Sequence, residues 1–132
     1  MSNAFGVDPD PARARRFFGV ATRLLRDARR DDLARESAFF LADQACVSAM
    51  EAVLAHVGRA VSPGESSTVV LIREANGALG AGYDDLFDSL NLGRQDRNTA
   101  SYVDPVITDY SAQAMLEDAR ALVEAVGVFM RR

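Results

Sequence analysis

Arg94, Gln95, Arg97, Asn98 and Tyr102 share one short window of the stretch L-N-L-G-R-Q-D-R-N-T-A-S-Y, which runs from Leu90 to Tyr102. Their chemistry converges on a phosphodiester. Arginine offers a planar fork of donors that matches a phosphate, asparagine supplies both a donor and an acceptor, and tyrosine carries a hydroxyl on a ring that can stack. Arg97, Asn98 and Tyr102 are therefore the candidate catalytic or binding groups, with Arg94 and Gln95 as flanking substrate contacts. The same residue types also allow a structural assignment. In it Arg97 pairs with an acid such as Asp43 or Glu51 and Tyr102 packs at a helix end, because buried arginines are generally paired.

The element that must position these groups is a helix. Tyr83, Phe87, Leu90, Arg94, Arg97 and Ser101 recur at helical spacing, so a stripe that begins apolar ends in guanidinium groups. Other site chemistries find no support. Cys46 and His56, one of each in the chain, are nearly three turns apart on one predicted helix and cannot form a dyad within one chain. No glutamate has a histidine three residues on, which excludes the Glu-x-x-His pattern of di-iron bundles. The run G-A-L-G-A-G lacks the Lys-Ser/Thr of a phosphate loop. Asp84, Asp85 and Asp88 read as surface acids at a helix N-terminus, since no histidine or further clustered carboxylate completes a metal set. No metal or cofactor is expected.

A chain of 132 residues is long enough to bury a core as one domain without staples. The single cysteine excludes an intrachain disulfide and agrees with a reducing cytoplasm, and Cys46 reads as buried filler. No apolar run has signal-peptide or membrane-span length, so the expectation is a cytoplasmic protein with no membrane partner. All 15 basic residues are arginines, and the formal charge of −4 argues against a generic nucleic-acid coat. Arg13, Arg15, Arg16, Arg23, Arg26, Arg29 and Arg30 nevertheless crowd the first helix, as a merely solvated face or as a local basic one.

In chain order, residues 1–9 lack periodicity and are expected to be a flexible N-terminal tail before one helical domain over residues 10–132. Asp10-Pro11 caps a first helix whose apolar stripe is Phe17, Phe18, Ala21, Leu24, Leu25 and Ala28. Asp31-Asp32 is expected to break it and cap a long central second helix that runs to about Val57, with Gly58 as its C-terminal stop. A polar strip on that helix, Asp43, Gln44, Ser48 and Glu51, faces either solvent or the site. Ser66-to-Leu79 contains the β-prone run T-V-V-L-I, but a lone strand has nothing to pair with, so a helix is expected there. A fourth helix opens near Asp84-Asp85 and ends near Tyr102, before Pro105. Thr108 caps the fifth, whose stripe is Ala112, Met115, Leu116, Ala119, Leu122, Val123, Val126, Phe129 and Met130. The fold class is all-α, a five-helix bundle with no sheet.

The helix order, the long second helix and R-N-T-A-S-Y ahead of a final helix beginning V-I-T-D-Y-S-A-Q-A resemble the HEPN superfamily (higher eukaryotes and prokaryotes nucleotide-binding) over about residues 10–130. The family's catalytic motif is Arg, often followed by a polar residue such as Asn, then four to six residues and a His. Arg97 and Asn98 match its start, and Tyr102 stands in the His position, five residues after Arg97. Tyrosine, with a pKa of about 10, is a poor base near neutrality. The resemblance implies an all-α homodimer in which two copies of Arg97, Asn98 and Tyr102 meet across a cleft and bind RNA or a nucleotide. It also implies a weak, metal-independent ribonuclease of toxin–antitoxin type, with a nucleotidyltransferase antitoxin as partner. The alternative is a non-catalytic interaction or regulatory module in which the arginines serve only the dimer.

Overall fold

The computed structural model describes residues 3–64, 67–102 and 107–132, and for residues 96–102 it describes the backbone alone. Five helices dominate: α1 (Pro11–Ala28), α2 (Arg35–Val57), α3 (Ser67–Leu79), α4 (Asp84–Tyr102) and α5 (Asp109–Met130). Two short strands, β1 (Ala4–Gly6) and β2 (Arg59–Val61), accompany them.

The α1 start follows its sequence signals: Pro11 occupies the first turn and the Asp10 carboxylate accepts from the Arg13 backbone N–H at 3.0 Å. Its fully buried residues are all small, Ala14, Ala21 and Ala28, one every second turn. They allow a close approach to α2, which buries Ala42, Ala45, Ala49 and Ala52, and the α1–α2 interface is the most extensive in the fold. Around these alanines α2 places Phe39, Met50, Val53 and Leu54, and α5 adds Met115, Leu122 and Val126 from the other side. Among the described residues α2 is the one helix long and apolar enough to cross a membrane by length and composition. Packing on several sides by α1, α3 and α5 accounts for that composition. Cys46 lies in this core, where burial pushes its thiol well above the usual range.

α3 forms over the β-branched run as expected, burying Val70, Leu71, Ile72, Ala75 and Leu79. Asp84 and Asp85 occupy the first turn of α4, and the Thr108 hydroxyl caps α5 by accepting from the Ser111 N–H at 3.0 Å. The cap expected of Asp31-Asp32 is absent. α2 begins at Arg35 after an extended Ala34 with no side-chain cap, and Asp32 instead accepts from the Arg30 guanidinium at 2.7 and 3.1 Å. A bidentate charged partner close by outcompetes a helix end three residues away.

Two further expectations, no sheet and a flexible N-terminal tail, are corrected over residues 3–9. β1 pairs antiparallel with β2, Ala4 opposite Val61, Phe5 opposite Ala60 and Gly6 opposite Arg59. Backbone bonds of 2.9 Å from Val7 N to Gly58 O, Asp10 N to Ala55 O and Ser62 N to Asn3 O continue the seam on both sides. The cause is Gly58. At φ 79 it ends α2 with its N–H on Leu54 O and turns the chain sharply, which leaves the strand after it in need of a partner. Arg59 then fixes β2 to α3 through two hydrogen bonds to one Glu74 oxygen, at 2.9 and 3.0 Å.

A β-carbon at Gly58 would meet the Val7 carbonyl oxygen at 2.5 Å, so its left-handed backbone and the close strand both require glycine. Gly58→Ala should destabilise the fold by roughly 1–3 kcal/mol. Gly77→Ala, in the exposed interior of α3 with nothing near its added carbon, should stabilise it by about 0.5–1 kcal/mol. Urea midpoints of the two variants should move in opposite directions.

Candidate functional site

Three helix ends converge at one end of the bundle. α4 and α5 run antiparallel, since Ser89 bonds to Asp118 and Gly93 packs on Met115, so the C-terminal end of α4 lies beside the start of α5. The Arg35 guanidinium donates to Asp109 at 2.9 Å and so brings the first turn of α2 to the first turn of α5. Two helix N-termini, each carrying a partial positive charge, therefore flank the end of α4, that of α2 without a side-chain cap and with Glu36 in its first turn, that of α5 capped by Thr108 and with Asp109 in its first turn.

Along α4 the apolar-to-basic stripe takes shape as far as it is described. Phe87 and Leu90 are buried, Tyr83 before them is half-buried, and Arg94 one turn later is half-buried as well. The Arg94 Nε is sealed from solvent and has no hydrogen-bond partner among the described residues. Such an N–H costs about 1–3 kcal/mol while unmade, so Arg94 is held as a donor at the edge of the core rather than spread over the surface. Gln95 is exposed. Arg97, Asn98 and Tyr102 occupy the last turns of α4, and their side chains lie outside the described residues. Their pairing with one another, and that of Arg97 with Asp43 or Glu51, lies outside the described residues too.

Behind Arg94, the Ser89 hydroxyl donates to a half-buried Asp118 carboxylate at 2.5 Å. Burial raises the Asp118 pKa, and the Ser89 bond opposes that rise only in part. Asp43 and Asp118 both act on the Cys46 thiol, so α2, α4 and α5 share a small polar zone inside an apolar core. Of the polar strip on α2, Gln44 faces solvent and Ser48 is buried.

A concavity elsewhere in the fold was not foreseen. A cavity of about 500 Å³ opens between residues 7–10, the start of α1, α2 and β2, lined by Arg13, Phe17, Glu51 and Arg59 among others. The Arg13 guanidinium stands 5.3 Å over the Phe17 ring. Glu51 is half-buried on its wall, and burial raises its pKa against the pull of Arg13. Glu51 and Phe17 were visible as single residues. The wall that encloses them is residues 7–10 with β2, which have no periodic signal.

The HEPN domain family model matches residues 12–129. The chain belongs to the HEPN family. No curated protein and no solved structure matches it. The HEPN match runs from the first turn of α1 almost to the end of α5, so all five helices belong to the family's domain, and β1 lies outside it. Within this HEPN fold, Arg97-Asn98 falls on the α4 end that the α2 and α5 N-termini flank.

Glu51 and Asp118 of this HEPN domain bind protons more tightly folded than unfolded. Each therefore contributes stability that is fully present below its ordinary pKa, 4.5 for Glu51 and 3.8 for Asp118, and lost as the pH rises through the raised folded value. The double variant Glu51→Gln, Asp118→Asn should show a melting temperature that declines less than wild type as the pH rises from about 4 towards neutrality. Parallel profiles would mean that neither carboxyl is desolvated in solution.

Proposed function

We propose that this HEPN protein is an RNA- or nucleotide-binding homodimer, and a weak metal-independent ribonuclease of toxin–antitoxin type. Two copies of Arg97, Asn98 and Tyr102 face one cleft, and a nucleotidyltransferase antitoxin is the partner that this reading implies. The observation that carries it is the HEPN match over residues 12–129, which includes Arg97-Asn98 at the start of the family's motif. Three features support it. The positive ends of α2 and α5 favour an anion beside the end of α4. Arg94 holds a buried N–H without a partner among the described residues. Leu92 on α4 and Tyr110 at the start of α5 are 63% and 84% exposed, which is the kind of apolar surface that pairing would cover.

In this arrangement Arg97 grips a phosphate with two parallel donors, Asn98 orients it, and Tyr102 stacks on a base or donates to an oxygen. Turnover is slow because a tyrosine hydroxyl, with a pKa of about 10, seldom accepts the proton of a 2′-hydroxyl near neutrality. Binding is the main output.

Fluorescence anisotropy with a labelled single-stranded RNA tests the site. Arg97→Ala should weaken binding about tenfold, the loss of one charge-assisted contact, and lower the salt slope by about 0.7. Tyr102→Phe should weaken it less, since stacking survives without the hydroxyl. Unchanged affinity in Arg97→Ala together with a melting temperature lowered by several degrees would make the arginine structural and favour the interaction-module reading. Sedimentation at micromolar concentration should give twice the 14.3 kDa chain mass, and a clean monomer would remove the composite cleft.

A further inference from the structure

α1 concentrates positive charge in an acidic protein. Residues 13–30 hold seven of the 15 arginines and a single acid, Asp27, whereas the rest of the chain holds eight arginines against 18 acids. At about 100° per residue, Arg15, Arg16, Arg23, Arg26 and the C-cap Arg29 fall within an arc of roughly 140° and extend over about 21 Å of axis, and Arg30 follows just beyond the helix end. All six are exposed. Arg26 lies near Asp27 at 3.8 Å and Arg30 is paired with Asp32. Arg15, Arg16, Arg23 and Arg29 have no ion pair among the described residues. Gly19 and Thr22 lie within the same arc and add little bulk. Thr22, Leu25, Arg26 and Arg29 line a shallow recess of about 340 Å³ there.

We infer that this face of α1 is a contact surface for the phosphate backbone of single-stranded RNA, separate from the α4 groups and feeding them. The inference rests on the RNA-binding reading given above. A linear row of guanidinium forks matches a linear row of phosphates, which a single pocket would not require. The row also points the right way. α1 joins α2 through residues 29–34, and the start of α2 is tied to the start of α5, so Arg29 and Arg30 lie at the bundle end where α4 finishes. An anionic membrane would need large apolar side chains beside the charges. Among the described residues α1 exposes none, because Phe17, Phe18, Leu24 and Leu25 pack against the core.

The experiment measures the affinity of the full chain for a labelled 20-nucleotide single-stranded RNA from 50 to 300 mM salt. The variant Arg15→Gln, Arg16→Gln, Arg23→Gln, Arg29→Gln should bind at least tenfold more weakly at 0.1 M salt, with a salt slope lower by up to about 2.8. The same four positions changed to lysine should stay within about threefold of wild type, since lysine also neutralises phosphate. The half variants, Arg15→Gln with Arg16→Gln and Arg23→Gln with Arg29→Gln, should each take part of the slope, which keeps the result readable if the fourfold variant folds poorly. Wild-type affinity and slope in the glutamine variants, with weakened binding in Arg97→Ala, would overturn the α1 surface and leave the α4 reading standing. Weakened glutamine variants with Arg97→Ala unchanged would uphold α1 and remove the α4 site. A wild type that binds no RNA but sediments with vesicles of anionic phospholipid would overturn the RNA assignment and move this face to a membrane.

Discussion

The need to cover α2 on most of its circumference organises this molecule. Eleven of its residues are buried, five of them alanines on the helix interior, and no single neighbour can enclose a helix of that kind. α1 answers with alanines of its own at positions 14, 21 and 28, which bring it close and fix its rotation. With that rotation set, Arg15, Arg16, Arg23 and Arg26 face outward. The charge pattern on the surface is thus a by-product of how the core closes, and it costs the core nothing.

The helices were legible because burial imposes a period. Phe87 and Leu90 sit in the core and Arg94 at its edge, as the stripe through them required, and Val70 to Leu79 packs as a helix despite its β-branched start. What escaped reading lacks a period. Ala4–Gly6 is too short to show alternation, and its pairing depends on Gly58, more than fifty residues away, turning the chain. Asp31 and Asp32 carry the right chemistry for a cap, yet Arg30 lies nearer than the helix start. Local propensity reports what a residue can do, and proximity decides what it does.

The candidate site divides in the same way. Residue type alone marked Arg94, Gln95, Arg97, Asn98 and Tyr102, because guanidinium, amide and phenol on one helix end are an economical phosphate set. It gave no view of the surroundings. The paired helix N-termini depend on Arg35 reaching Asp109, a contact between residues that carry no motif. The cavity beside Glu51 depends on residues 7–10 being held against the end of α2 and β2. Electrostatic context is a property of the assembled fold, and only the donors themselves can be named beforehand.

The β1–β2 pair bears on the order in which the chain acquires its shape. Asn3 and Ser62 bond across a separation of 59 residues, a closure that an open chain would make slowly. The α1–α2 hairpin shortens that search, because its own contacts are local and they leave the Asp10 N–H against the Ala55 carbonyl. From there the strands need only zip outward by a few residues. During synthesis, then, β1 waits for the hairpin behind it, and it docks only when Gly58 and the strand after it emerge.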